Sequence, residues 1–214
     1  MNTMMIDLET LAVPESLPPG MLVDVGDVGV VVMDSDLNIV DSRGWAVLCC
    51  GCASSDTSLW WMGLCAERGR LPNWALARLP DGKRPKDVLP AVPMRDPLVT
   101  IAELWRKWNC KEVWSKGGFD LDILRGHYAA QRMLCPWQYY RARDLRSVMK
   151  FLGVTVEAAK VSHDAMDDAA DQVQALRRCR VAARANDCWA FPVYGPLSHR
   201  RPSASNLPGA CSRC

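Results

Sequence analysis

An α/β fold built on a mixed central sheet is predicted by three features of this 214-residue chain. The first half reads as strands broken by turn residues, and the second half alternates short strands with helices. Hydrophobic residues make up 49% and charged residues 23% of the chain, the balance of a globular protein with a single sizeable core.

Residues 4–8 form a short apolar strand, and Pro14, Pro18, Pro19 and Gly20 mark the loop after it. Residues 24–33 are Val-rich, Asp34-Ser35-Asp36 is a turn, and 37–45 resumes in alternating style, so the fold opens with three antiparallel strands. A helix follows over 57–68, with Leu59, Met62, Gly63 and Cys65 at helical spacing. Residues 78–97, rich in Pro, Arg and Lys, read as a surface loop. The next helix, 98–108, carries Ile101, Leu104, Trp105 and Trp108 on one stripe. Beyond it come a strand at 112–114, a Gly117-Gly118 turn and a helix over 119–132. A helix over 144–152 is closed by Gly153, a residue suited to the left-handed C-cap. A long helix capped by Ser162 then runs to 185 with an acidic first turn. The domain is accordingly set at 1–185, and 186–214, where Pro, Gly, Ser and Arg accumulate, is expected to be a flexible tail.

Composition also excludes several classes. No apolar run approaches the roughly 18 residues of a membrane helix, and no basic stretch followed by an apolar core marks a secretory signal, so a cytoplasmic protein is expected. The formal charge of +2 is too small to imply a polyanion partner by itself. Half of the ten cysteines are isolated in apolar or helical stretches, where a thiol behaves as a small hydrophobe. Cys49 with Cys52 and Cys211 with Cys214 have the spacing of a four-thiolate zinc site. Cys50 interrupts one pair and the other lies at the chain end, which favours reduced thiols over zinc.

The carboxylates carry the chemistry. Asp7 and Glu9 fall at i and i+2 of the first strand, which puts both on one face and within reach of a common cation. Taken alone, the pair reads more readily as two solvated acids at a strand end. Asp120 opens a helix after a Trp-containing strand, either as a site residue or as an acid complementing the helix dipole, and Asp122 competes with it. The segment Ser162-His163-Asp164-Ala165-Met166-Asp167-Asp168 is denser, with more acids than capping requires and a histidine suited to proton transfer near neutral pH.

The order of these motifs, Ile6-Asp7-Leu8-Glu9-Thr10, then Phe119-Asp120, then His163 with Asp168 five residues on, resembles the DEDDh family of 3'–5' exonucleases. Val113-Trp114, Pro136-Trp137 and the stretch 143–146 look most like its small phage and bacterial exoribonuclease-like group related to RNase T. Lys116 departs from the Asn that this group often carries. The resemblance covers residues 4–180 and implies an RNase H-like mixed sheet flanked by helices. It also implies two Mg²⁺ or Mn²⁺ ions held by Asp7, Glu9, Asp120 and Asp168, with His163 as general base. Leu8 and Thr10 would contact the terminal nucleotide. The implied activity is hydrolysis of single-stranded RNA or DNA with a free 3' end to nucleoside 5'-monophosphates. The other reading is a catalytically silent nucleic-acid-binding module of the same fold. By the same resemblance the setting is a bacterial or phage-infected cell, and a homodimer is possible.

Positive charge suits such a substrate. Arg125, Arg132, Arg141, Arg143, Arg146 and Lys150 cluster in the second half, and Arg78, Lys83, Arg84, Lys86 and Arg95 in the middle loop. Either set reads as a solvated face or as a track for a single strand. Trp60 and Trp61 point to different faces, leaving one of them available to stack a base.

Overall fold

The computed structural model describes residues 1–49, 51–68, 71–155 and 163–185. The tail, Cys211, Cys214 and Ser162 lie outside the described residues.

Six strands form one sheet in the order β4-β3-β2-β1-β5-β6. β1 (Thr3–Thr10), β2 (Val25–Met33) and β3 (Ile39–Leu48) are the three antiparallel strands expected. β5 (Glu112–Ser115) pairs parallel with β1, and β6 (Ala142–Asp144) pairs parallel with β5. The two-residue β4 (Val92–Pro93) lies parallel to β3, inside the stretch expected to be a loop. Strands this short have no alternation to read, so β4 and β6 appear only once neighbours pair with them.

Helices cover both faces of the sheet. α1 (Ser55–Arg68), α3 (Arg95–Lys107), α4 (Phe119–Ala130), α5 (Leu145–Leu152) and α6 (Ala165–Ala185) match the expected helices, while the short α2 (Asn73–Ala77) was not anticipated. α5 is closed by Gly153 as its sequence suggested, and Asp144, read as its first residue, is instead its N-cap. Asp144 accepts a hydrogen bond from Arg146 N, and Gly153 sits in the left-handed region at φ 64°.

Alternation along β1 and β2 divides the core in two. Met4, Ile6 and Leu8 with Val28, Val30 and Val32 pack against α3 and α4. Met5, Val31 and Met33 pack against Ala169, Val173 and Leu176 of α6. α1 corrects its expected stripe. Leu59 and Met62 are exposed, and Trp61 is buried instead, donating from Nε1 to Thr10 O at 3.1 Å. A single large indole with a hydrogen-bond partner decides the face that α1 turns inward. No described helix is long and apolar enough to cross a membrane.

Candidate active site

Asp7, Glu9, His163 and Asp168 gather on the α6 face of the sheet, and the start of α4 brings Asp120 within electrostatic reach of Asp7. The two-residue strand period turns Asp7 and Glu9 toward α6 and sends Leu8 into the opposite core, where it is buried. The Leu8 side chain is therefore unavailable to a nucleotide, and only its backbone faces the site. Thr10 follows an irregularity in the β1–β2 register, and its carbonyl accepts the Trp61 bond.

Asp7 Oδ1 accepts a hydrogen bond from Gln172 Nε2, tying α6 to the middle of the sheet. Burial pushes the Asp7 carboxyl up to about 7 despite that bond, with Asp168 adding repulsion. Glu9 is buried, and its carboxyl is pushed up to about 9 by burial first and then by the charges of Asp7, Asp168, Asp27 and Asp120. Asp120 is only 2% exposed in the first turn of α4, and burial together with Asp7 holds its carboxyl well above the ordinary range. Its Oδ1 has no hydrogen-bond partner among the described residues. Asp122, the competing acid, faces solvent beside Arg125 at 3.6 Å.

One ligand atom from each of Glu9, His163 and Asp168 lies within 4.8 Å of the other two. His163 Nδ1 is 3.7 Å from Glu9 Oε1. Its backbone occupies the left-handed region at φ 52°, which few non-glycine residues adopt. The ring stands edge-on to Trp60 and Trp61, with centroids 5.3 and 5.6 Å away. Trp61 is buried and Trp60 half exposed. Asp164 caps α6, accepting from Met166 N and Asp167 N at 3.2 and 3.3 Å.

Several basic residues have structural partners. Arg78 bonds the carbonyls of Val25 and Val47, Arg84 pairs with Asp81, and Arg143 pairs with Glu112. Lys116 and Arg146 are different: both are exposed, and among the described residues no ion pair holds either. A Cβ on Gly117 would lie 3.4 Å from Arg146 Cζ, so the guanidinium covers the turn that leads into Asp120. Asp144 fixes this arrangement by accepting from Gly117 N and Arg146 N, both at 2.9 Å. Lys116 lowers the Asp7 carboxyl electrostatically, and Arg146 lowers that of Asp120.

Sequence reasoning missed Asp27 and Gln172. Asp27 pairs with Glu9 across the β1–β2 ladder, and Gln172 lies one turn beyond Asp168 on α6. The i+4 spacing of Asp168 and Gln172 was a readable signal, whereas Asp27 could be found only from the strand register. The described cysteines, Cys49 and Cys52 among them, are free thiols.

Residues 2–180 match the family model described as a 3'-5' exoribonuclease Rv2179c-like domain. No curated protein sequence matches the chain. Among solved structures, cell-death related nuclease 4 (CRN-4) aligns at 15% identity with a TM-score of 0.54, covering 84% of this chain and 64% of that one. E. coli Exonuclease I in complex with a dT13 oligonucleotide aligns at 12% identity with a TM-score of 0.57, covering 87% of this chain and 42% of that one. The chain thus spans less than two thirds of either structure, and at these identities the likeness is one of fold.

Proposed function

The chain belongs to the 3'-5' exoribonuclease Rv2179c-like domain family, and from that premise we propose that it removes nucleoside 5'-monophosphates from the 3' end of a single strand by two-metal hydrolysis. The observation that carries this reading is the crowding of four buried or partly buried carboxylates, with the orphaned Oδ1 of Asp120 among them. Such a cluster is unfavourable without cations, and an all-oxygen donor set suits Mg²⁺ or Mn²⁺. Asp7, Glu9, Asp120 and Asp168 would hold the pair. When bound, such ions supply charge neutralisation at the scissile phosphate and activation of water.

The remaining work falls to the chain's own groups. His163 takes the proton of the attacking water at a ring nitrogen, with the ring oriented by Trp60, Trp61 and Glu9. Gln172 orients the Asp7 carboxyl by donating to its Oδ1. The backbone at Leu8 and Thr10 meets the terminal sugar, and Lys116 and Arg146 meet the strand's phosphates.

The deciding experiment is digestion of 3'-labelled and 5'-labelled RNA and DNA strands with and without Mg²⁺ or Mn²⁺. Metal-dependent mononucleotide release from the 3' end is the expected result. Cleavage of circular single strands at a similar rate would make the protein an endonuclease. Binding without hydrolysis under any metal would leave the silent binding module.

A further inference from the structure

We propose that Asp27 is a positioning residue for the general base: its carboxylate grips the start of α6 and thereby fixes His163 against Glu9. The inference rests on the reading of His163 given above.

Asp27 lies directly across the ladder from Glu9, so its side chain shares the catalytic face, and it is 7% exposed. It resembles the metal-binding carboxylates in burial but not in what its oxygens do. Oδ1 accepts from Val28 N at 3.1 Å and Oδ2 from Ala165 N at 3.1 Å. Each oxygen is engaged by a backbone N–H, which sets Asp27 apart from Asp120 and its unpartnered Oδ1.

Ala165 is the first residue of α6, and its N–H is one of the donors that a helix start leaves orphaned. Asp164 satisfies Met166 N and Asp167 N, so Ala165 N depends on Asp27. Ala165 is fully buried, and an unpaired N–H there is costly. The approach itself requires Gly29, two residues after Asp27: a Cβ on Gly29 would lie 2.0 Å from Ala165 O. The helix start is thus pressed onto bare backbone and held by two carboxylates, of which Asp27 is the one supplied by the sheet. Two residues upstream, His163 keeps a left-handed backbone conformation that persists only where its surroundings hold it. Releasing Ala165 removes the anchor that ties this segment to β2, and a displacement of about 1 Å at a reacting group is enough to cost on the order of 10²-fold in rate.

The test combines Asp27→Ala, Asp27→Asn and His163→Ala in a double-mutant cycle on an oligonucleotide, with backbone amide exchange as a second readout. Asp27→Ala is expected to lower kcat by about 10²-fold while KM stays within about twofold. Added to His163→Ala, it should lower kcat no further, because the two residues act through one group. Asp27→Asn keeps a carbonyl acceptor for Ala165 N and should recover most of kcat. Exchange at Ala165 should accelerate by about tenfold or more in Asp27→Ala while the amides of Val30 and Val32 stay protected. Additive losses in the cycle, or unchanged exchange at Ala165, overturn the proposal. The exchange arm needs no activity, so it decides the role of Asp27 even if the wild-type protein hydrolyses nothing and the proposed function falls.

Discussion

The indole of Trp60 stands edge-on to the imidazole of His163, at 78° with ring centroids 5.3 Å apart, while half of its surface remains open to solvent. Its neighbour Trp61 is buried against Trp74, at 5.0 Å between centroids, and is closed to any ligand. The two adjacent tryptophans thus divide into a packing residue and an exposed ring at the mouth of the carboxylate site. Base–aromatic stacking contributes about 1–3 kcal/mol per base. Trp60→Ala is accordingly expected to raise KM for an oligonucleotide by about 5-fold to 150-fold, with Trp60→Phe retaining most of the affinity. An unchanged KM in steady-state kinetics would remove Trp60 from the binding surface.

His163→Ala is expected to lower kcat by about 10²–10⁴-fold, the usual contribution of a positioned acid or base. Metal affinity, followed by titration calorimetry, should change little because the carboxylates remain. A rate loss below about threefold would reduce His163 to a residue of the helix start.

Lys116 and Arg146 are expected to act on binding rather than on chemistry. Arg146→Ala should raise KM with kcat nearly unchanged and should lessen the salt dependence of strand binding by about one unit of log–log slope. Lys116→Ala should do the same. Arg143→Ala should instead mainly lower stability, because its guanidinium pairs with the buried Glu112 at 2.7 Å. Equal salt slopes in wild type and Arg146→Ala, measured by fluorescence anisotropy, would take the phosphate contact away from Arg146.

How legible the site was depends on how local each relationship is. Asp7 and Glu9 share a face because of strand geometry alone, and that was readable. Asp120, His163 and Asp168 drew attention as acids and a histidine at helix starts, but their convergence depends on β5 lying parallel beside β1 and on α6 crossing the sheet. Asp27 was invisible in the sequence because nothing before pairing shows that it faces Glu9. Gly29 drew no attention in a Val-rich strand, and only the contact with Ala165 shows why a side chain is excluded there. The α1 stripe was misjudged for a related reason: helical spacing identified candidate faces, and the partner for Trp61 lay on β1.

The acid cluster also makes stability depend on pH in a sense opposite to ordinary acid denaturation. Burial raises Asp7 from 3.8 to about 7 and Glu9 from 4.5 to about 9. A carboxyl raised on folding binds more protons in the folded than in the unfolded chain between those two values. Its contribution is therefore complete below the unfolded value and is lost as pH rises through the folded one. For Asp7 and Glu9 together that window runs from about pH 4 to about pH 9. Without metal, Tm should fall between about pH 6 and pH 8.5. Divalent cations bind the deprotonated carboxylates, so Mn²⁺ should raise Tm, and by more at the higher pH. Glu9→Gln puts a neutral group that does not titrate where burial otherwise forces a carboxyl up to about 9. It should stabilise the metal-free protein at about pH 8.5 by on the order of 1–2 kcal/mol, about 2–8 °C in Tm for a chain of this size, while hydrolysis is lost. Calorimetric scans in EDTA and in Mn²⁺ at both pH values check each sign. A wild-type Tm that neither falls with pH nor responds to Mn²⁺ would mean that the carboxylates are solvated, and the physical reason for placing two cations among them would be gone.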